Sequence, residues 1–536
     1  MNFFEYPMNS QIQYKDKVRF SIILSLVFFS LAFLGILNHE MWRDELHTWL
    51  VGQKSESLLD LIYQMRYDGH PSLWYICVYG LTRITNNAIA MQIFHVLLAT
   101  GSVYLVSLYS PFTRLQIVLF SFGYFPFFEY ALVSRSYALG ILLTFWCCKL
   151  ITDRRRNYFA ISITLAAMAN VSFYTLIVAF SILLGLSIEL IIWPWLQKEN
   201  SQNQMLNSSI LEQRNNPKLI IYLAIVILGI AIALAQMQFL APADRANVQG
   251  WLFHFDINRL ASSLAILYKS LVPIPALKVK FWHQYIIGIW GQAPLFFPLL
   301  CFSILCLIRN PITLLIYLST LGTILIFNYT KYTASARHYG HVWIVFIACL
   351  WIAKYYRVFF SWEFLDQKID RLFNFFNFKL STFEKQKEAL ITGLLVCHFI
   401  SGVYAWGIDL AHPFSTAQEA SQFIKTKDVQ EDFFLSGFPD WWAATFPAYL
   451  HQEIYYPNRN EFGTFVLWDN KREPITMEDA VFRVQEEVSR RSQNSLFIAN
   501  TPLSIEESSD LSLLATFKGS IVGDEDSYLY LIKTKK

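Results

Sequence analysis

Two adjacent carboxylates open the first polar stretch of the chain, in the heptapeptide MWRDELH at residues 41–47. They follow an apolar run at 20–38 that is long enough to cross a lipid bilayer. Neighbouring carboxylates beside a membrane surface repel each other and lose hydration, so a positive charge must compensate. Arg43 or a bound cation could supply that charge. A solvated loop that merely contains Asp44 and Glu45 is the alternative.

Two further polar stretches interrupt the apolar sequence. The first, DGHP at 68–71, places Asp68 and His70 before a proline, which suits the first turn of a helix. The second, SRSYAL at 134–139, places Arg135 between two apolar runs. Taken singly, Asp68 and His70 are explained as a helix cap and an interfacial ring. Arg135 alone is explained as a side chain that reaches up to the membrane surface.

The elements that must position these stretches are membrane spans. Of the 536 residues, 54% are hydrophobic and only 15% are charged, whereas about a quarter of the residues in soluble domains are charged. The net charge of +3 is too small to indicate nucleic acid as a partner. The sequence predicts an all-α polytopic membrane protein with about 11–12 apolar segments, at 20–38, 71–84, 88–109, 115–131, 134–152, 157–172, 173–196, 218–241, 284–307, 311–328, 339–355 and 389–408.

Basic residues orient these segments, because cytoplasmic loops are enriched in Lys and Arg. The Arg154 to Arg156 triplet and the loops 197–217 and 357–387 are predicted to lie inside. The outside then holds the loops 39–70, 242–283 and 329–338 and the C-terminal tail. Four apolar segments lie between residue 70 and the triplet, although only an odd number of crossings fits. Segment 71–84 is too short to span comfortably.

The composition changes abruptly after the last apolar segment. Charges become frequent, and short apolar runs alternate with helical patterns, which is typical of a small α/β domain. We therefore expect a transmembrane domain at 1–408 and an extracytoplasmic α/β domain at 409–536. The protein is predicted to be a multi-pass protein of the plasma (inner) membrane, in contact with membrane lipids.

In this order, the Trp-Arg-Asp-Glu loop, the Gly-His-Pro stretch and the Arg-x-Tyr-Ala-Leu helix start resemble the membrane glycosyltransferases of the GT-C fold. The resemblance is to the glycosyltransferase family 39-like group, which includes the protein O-mannosyltransferases and the lipid A aminoarabinose transferase. It is clearest over roughly the first 180 residues. The family usually has a second proline where this chain has Ser72.

The resemblance implies roles for individual residues. Asp44 corresponds to the family's catalytic base, and Glu45 to a neighbour that assists with a cation or with the acceptor. Arg135 and Tyr137 correspond to residues near the donor. The C-terminal domain varies across the family, so the resemblance implies nothing about 409–536.

The chemistry of such a reaction suits the basic loops. A sugar on a polyprenyl phosphate has a good leaving group, so one base can suffice if cationic groups stabilise the departing phosphate. A glycosidase, by contrast, needs two carboxylates. The outer loops hold the basic residues Arg245, Lys269, Lys278, Lys280, Lys331, Arg337 and His338. Any one of these is explained as well by an ordinary interfacial position.

Together these observations predict an inverting glycosyltransferase. The donor is expected to be a polyprenyl-phosphate-linked sugar, and the acceptor a hydroxyl of a lipid, glycan or protein on the extracytoplasmic side. The predicted catalytic residues are Asp44 and Glu45, with a divalent cation near them as an open alternative. The predicted substrate-binding residues are Arg43, His70, Arg135, Tyr137, Lys331, Arg337 and His338.

A transporter or flippase of a lipid-linked substrate is the alternative from another functional class. It would carry ionisable residues at mid-membrane and often a repeat between its halves. No repeat is visible, and the apolar segments are nearly free of charge apart from Glu129 and Glu189. An inactive relative that serves as an assembly subunit is a third alternative, which the geometry around Asp44 can address.

Overall fold

A computed structural model describes residues 8–196, 217–239, 242–245, 250–356, 380–426, 433–504 and 510–534. Helices make up most of it, and within the described residues the named strands begin only at Phe433. Most of the two loops predicted to lie inside, 197–217 and 357–387, falls outside the described residues.

Eight helices of the described chain are long and apolar enough to cross a membrane. They are Tyr14–Asn38, Ile89–Tyr109, Phe173–Leu190, Lys218–Met237, Ile289–Leu307, Pro311–Thr330, Ala336–Ala353 and Phe383–Ala411. Shorter helices are Arg43–Lys54, Leu58–Gln64, Leu73–Thr82, Arg114–Ser121, Tyr137–Ile151, Arg154–Ala169 and Ile257–Leu271. The expected polytopic helical fold is confirmed.

Contacts at the ends of the bundle trace the chain between the first span and the arginine triplet. Lys17, near the start of the first span, donates a hydrogen bond to the carbonyl of Ser110 at 3.1 Å. Helix Ile89–Tyr109 therefore ends where the first span begins. The amide of Ser134 donates to the Glu45 carboxylate at 2.5 Å, so by that residue the chain has returned to the opposite end.

Helix Leu73–Thr82 is the segment that does not cross. It packs on helix Arg43–Lys54, and Arg83 at its end donates to the carbonyl of Gly52 at 3.0 Å. Between residue 70 and the arginine triplet the chain then runs between the two ends of the bundle three times, through Ile89–Tyr109, the 114–131 segment and Tyr137–Ile151. An odd number of passes agrees with the expectation from the charge pattern, and the short segment is the one that makes no pass.

The expected span 115–131 is built from two pieces. A helix from Arg114 to Ser121 is followed by a π-helical turn over Tyr124–Glu129, and the turn is completely buried. Pro126 lies inside the turn and has no amide to donate, which fits a local break in the ordinary helical pattern. Short π-helical turns often mark functional sites.

A six-stranded mixed sheet follows the last span. Its strands, numbered along the chain, are β1 Phe433–Phe438, β2 Ile454–Tyr456, β3 Glu461–Gly463, β4 Asn494–Ala499, β5 Leu511–Phe517 and β6 Ser527–Ile532, in the order β3-β2-β1-β4-β6-β5. Strand β1 runs parallel to β2 and β4, and the other pairs are antiparallel. Helices Ala417–Thr426 and Met477–Arg491 accompany the sheet.

The sheet-bearing part packs directly on helix Arg43–Lys54. Ala448 belongs to the same buried cluster as Leu46 and Trp49 of that helix. The Tyr449 hydroxyl donates to the carbonyl of Met41 at 3.3 Å. The C-terminal part therefore supports the polar loop that carries the adjacent carboxylates.

Candidate active site

Asp44 lies in the first turn of helix Arg43–Lys54, at the end of the bundle that faces the sheet. An acidic side chain is stabilised there by the positive end of the helix dipole. One oxygen of Asp44, Oδ2, lies 3.0 Å from Nη2 of Arg337 and 3.6 Å from Nη1 of Arg135. Arg135 also donates to the backbone carbonyl of Asp44. Residues far apart in the chain are thus brought together around one carboxylate.

The charges around Asp44 keep it ionised. Burial alone would raise the pKa of Asp44, but the cations Arg135, Arg337 and Arg43 outweigh that effect and lower it to about 2. The side chain is nevertheless 31% exposed. Asp44 is therefore a permanent anion that a molecule at this end of the bundle can reach.

Glu45 occupies a different environment although it is adjacent in sequence. Its side chain has no exposed surface. One oxygen accepts from the amide of Ser134 at 2.5 Å, and the other accepts from the amide of Trp42 at 3.2 Å and faces His39 at the same distance. The structure therefore favours a positioning role for Glu45 over the expected contact with a cation or an acceptor.

Arg43, expected to bind substrate, is held by the C-terminal part. Its Nη1 lies 2.8 Å from Glu525 and 3.0 Å from Asp524. Its guanidinium also lies over the rings of Trp42 and Trp441, at 5.0 and 4.4 Å from their centres. These contacts make Arg43 a link between the sheet and the polar loop.

Arg337 is the side chain best placed to receive an anion beside Asp44. It begins the buried helix Ala336–Ala353 and is 8% exposed. Its guanidinium lies 5.2 and 5.9 Å from the ring centres of Trp42 and Trp282. Its Nε and Nη1 have no hydrogen-bond partner within the described part of the chain. A buried arginine with open N–H groups suits a phosphate oxygen.

His338 and Tyr137 form an aromatic layer beside Arg337. The His338 ring stacks on Tyr174 with centroids 4.5 Å apart, and it lies 6.0 Å from the ring of Tyr137. His338 Nδ1 also accepts from the amide of Ser335 at 3.0 Å, which caps the helix. The structure therefore brings the two predicted substrate-binding residues together, and His338 also caps its own helix.

His70 and Asp68 lie close enough to Asp44 for the charge of Asp44 to act on the His70 ring. Asp68 accepts from the hydroxyl of Tyr75 at 2.8 Å and lies 3.0 Å from Nε2 of His47. His70 is half-buried. Burial lowers its pKa to about 4, and the positive charge of Arg135 acts in the same direction. The ring is therefore a neutral hydrogen-bonding group at neutral pH.

Lys331 is placed toward the rim. Its Nζ lies 5.3 Å from the ring centre of Trp251, whose side chain is 57% exposed. Arg245 lowers the pKa of Lys331 in addition to burial, so the two cations share one neighbourhood. The Arg245 guanidinium in turn lies against Gly69, within the Asp68 to His70 turn.

Several residues near the site gave no signal in the sequence. Trp282 donates from Nε1 to Glu129 at 3.0 Å and stacks on His283 with ring centroids 3.9 Å apart. His283 has a positive φ of 63° and is exposed. Of the three residues, only Glu129 could be noticed in the sequence, because it is a charged residue inside an apolar run.

The site offers little evidence for a resident metal. No group of three or more His, Cys, Asp or Glu side chains in the described ranges could hold a metal ion. Both oxygens of Glu45 are engaged by protein groups, so this side chain does not fit the cation expected between it and Asp44.

Comparison with known proteins identifies the fold. No protein-family model matches the chain, and no curated protein matches its sequence. The crystal structure of ArnT from Cupriavidus metallidurans in the apo state aligns with a TM-score of 0.50 and 9% identity, over 95% of this chain and 97% of that chain. ArnT bound to undecaprenyl phosphate aligns over the same shares, with a TM-score of 0.46 and 10% identity. The GT-C architecture expected from the three motifs is thereby confirmed.

Proposed function

We propose that this multi-pass membrane protein is a glycosyltransferase that moves a sugar from a polyprenyl-phosphate carrier to an acceptor hydroxyl. The observation that carries the proposal is the pairing of an ionised, accessible Asp44 with the buried Arg337, whose Nε and Nη1 lack partners among the described residues. One group can accept a proton while the other receives the phosphate. The GT-C architecture and the three sequence motifs agree with this division of roles.

The proposed reaction proceeds by inversion. Asp44 takes the proton of the acceptor hydroxyl as its oxygen attacks the anomeric carbon, and a new carbon–oxygen bond forms. The bond from that carbon to the phosphate oxygen breaks, and its electron pair leaves with the polyprenyl phosphate. Arg337 and Arg135 stabilise the charge that builds on the departing phosphate. The aromatic layer of Tyr137 and His338 would exclude water, which otherwise hydrolyses the donor.

The low pKa of Asp44 defines how it would act. A carboxylate with a pKa of about 2 is a weak base in the ground state. Proton transfer becomes favourable only as the acceptor oxygen bonds to the sugar and its own acidity rises. A late proton transfer to Asp44, in step with departure of the phosphate, is therefore part of the proposal.

The proposed side is extracytoplasmic. Asp44 lies at the end of the bundle opposite Arg154, whose Nε pairs with Glu189 at 2.9 Å. Arginine clusters are retained in the cytoplasm, so the site would face outward in the plasma (inner) membrane. The acceptor would be a lipid, a glycan or a protein.

A transporter of a lipid-linked substrate is less well supported. Its two candidate mid-membrane carboxylates both have protein partners. Glu189 pairs with Arg154 and also accepts from the Tyr356 hydroxyl at 2.9 Å. One oxygen of Glu129 accepts from Trp282 at 3.0 Å, while Oε1 has no hydrogen-bond partner within the described residues. An inactive assembly subunit would have no need for an ionised Asp44 held between two arginines.

The test is a transfer assay with purified protein in sealed proteoliposomes. Radiolabelled sugars on polyprenyl phosphate would be supplied with membrane extracts as a source of acceptor, and the products analysed by mass spectrometry for composition and by NMR for anomeric configuration. The proposal expects a labelled glycoside with an inverted anomeric centre. Movement of intact labelled donor between leaflets without any glycoside product would support the transporter instead.

A further inference from the structure

A buried row of ionisable side chains joins the last span to the polar loop. His39 directly follows the first helix, and its side chain has no exposed surface. Its Nδ1 lies 2.9 and 3.1 Å from the two oxygens of Asp409, and its Nε2 lies 3.2 Å from Glu45. A ring nitrogen must carry a proton to bond a carboxylate. With a carboxylate at each nitrogen, the ring is an imidazolium.

Glu45 also bonds to the two backbone segments that flank the site, and so connects them to His39. Its Oε2 accepts from the amide of Trp42, which precedes the helix that carries Asp44. Its Oε1 accepts from the amide of Ser134, which precedes Arg135. One buried carboxylate therefore fixes the chain on both sides of the contact between Asp44 and Arg135.

We propose that His39 and Asp409 are positioning residues for the proposed reaction. The His39 imidazolium, fixed by Asp409, holds Glu45 in place, and Glu45 sets the approach of Asp44 to Arg135. This inference rests on the proposed function. All three side chains in the row are buried, so the proposed role is to position Asp44 and not to contact substrate.

The groups around His39 determine its response to pH. Burial acts to lower the pKa of His39, but the charges of Asp409 and Glu45 outweigh burial and raise the pKa to about 10. Glu40 also lies nearby, but burial raises its pKa to about 8, so it gains its negative charge only above neutral pH. His95 faces the row from helix Ile89–Tyr109, and Phe414 packs on the ring with centroids 4.5 Å apart. The imidazolium therefore persists across neutral pH.

Asp409→Asn removes one of the two carboxylates that raise the His39 pKa. The ring then loses its proton at a lower pH, and an unprotonated nitrogen facing Glu45 no longer attracts it. Because a raised pKa stabilises the folded state until pH rises through it, the contact should fail earlier in the variant than in the wild type. The failure should appear on the alkaline side of the activity profile.

The experiment compares kcat and donor KM between about pH 6 and about pH 10. We expect kcat of Asp409→Asn to fall at least about tenfold with rising pH, with a midpoint about one unit or more below that of the wild type and little change in KM. Asp409→Glu, which keeps the charge, should restore the wild-type limb. Asp153→Asn is the matched control, because Asp153 is exposed and lies 3.8 Å from Arg156 at the opposite end of the bundle.

Superimposable alkaline limbs for Asp409→Asn and the wild type would overturn the inference. Unfolding temperatures over the same pH range separate this failure from failure of the proposed function. If the wild type transfers no sugar, the proposed function fails, yet the unfolding temperature of Asp409→Asn must still drop below that of the wild type as pH rises. Parallel unfolding curves would overturn the inference in that case as well.

If Asp409→Asn does not fold, His39→Gln is measured at low and high pH in its place. An alkaline limb of activity unchanged from the wild type in His39→Gln would contradict the positioning role.

Discussion

Asp44 and Arg337 form the pair on which the proposed reaction depends. The arginine holds one carboxylate oxygen at 3.0 Å, and two of its nitrogens, Nε and Nη1, have no partners among the described residues. The same guanidinium can therefore bind a donor phosphate and depress the pKa of Asp44. Substitution of Arg337 is therefore expected to have two separate effects, one on donor binding and one on the pKa of Asp44.

Arg337→Ala should weaken donor binding and alter the pH profile. Hydrogen bonds to charged groups contribute about 1.5–3 kcal/mol, so the donor Kd should rise about tenfold or more. Removal of the positive charge raises the pKa of Asp44 from about 2, so the acid limb of activity should move to higher pH. Donor titration and pH–rate profiles measure the two effects. Arg156→Ala, at an exposed position, is the control, and an unchanged donor Kd in Arg337→Ala would exclude the phosphate role.

The sequence singled out polar residues on short loops as candidates for the site. Asp44 and Arg135 each interrupt apolar runs, and the structure brings their side chains to 3.6 Å. The sequence could not predict that Arg43 pairs with Glu525, or that His39 pairs with Asp409. Those partners lie hundreds of residues away, and an isolated acid in a polar tail or at a span end carries no local pattern.

At the scale of elements, the turn before helix Leu73–Thr82 is the most constrained loop of the site. Gly69 has a φ of +69°, and a side chain there would collide with the guanidinium of Arg245. The residues on either side of it, Asp68 and His70, line the site. The glycine is thus required for the backbone conformation, and a side chain there would also shift the end of the Arg245 side chain.

Gly69→Ala should lower both stability and activity. The left-handed backbone conformation costs a residue with a side chain about 1–2 kcal/mol, and displacement of Arg245 adds to that cost. The unfolding temperature and the transfer rate of the variant should both fall. Gly288→Ala is the matched control, since an added Cβ there meets no atom within 4 Å and the backbone of Gly288 is not in the left-handed region. Equal behaviour of the two variants would show that the turn is not constrained as described.

Element boundaries were harder to predict than element types. The apolar run 115–131 was expected to form one span, but the structure divides it into the helix Arg114–Ser121 and the turn Tyr124–Glu129. Hydropathy reports burial and not helical register, so it could not locate this break. The short segment 71–84 was recognisable by length alone, because ten residues of helix, Leu73–Thr82, cannot cross a bilayer.

At the scale of the whole molecule, the site and the sheet lie at the same end of the bundle. The loop that holds Asp44 contacts the sheet-bearing part through Arg43 and Tyr449. If the orientation given by Arg154 is right, both face the outside of the cell. Loop and sheet must then be accessible from the same side.

Impermeant thiol labelling in intact cells tests this orientation. Single cysteines in a variant without the seven native ones would be placed at Leu59 and Phe482, which are 81% and 60% exposed. A third cysteine at Arg156, with 71% side-chain exposure, marks the opposite end. We expect labelling at the first two positions, and at Arg156 only after the cells are opened. Labelling at Leu59 without labelling at Phe482 would contradict a shared side.

The proposed reaction requires the Asp44 carboxylate to accept the proton of the acceptor hydroxyl. Asp44→Asn preserves size and removes the negative charge, so sugar transfer from polyprenyl phosphate by this variant measures the contribution of the carboxylate. General-base catalysis contributes about a hundredfold to ten-thousandfold, and kcat should fall at least by that factor. Asp60→Asn, in the same polar loop, should transfer at the wild-type rate. Near-normal transfer by Asp44→Asn, at matched expression and unfolding temperature, would remove Asp44 from the mechanism.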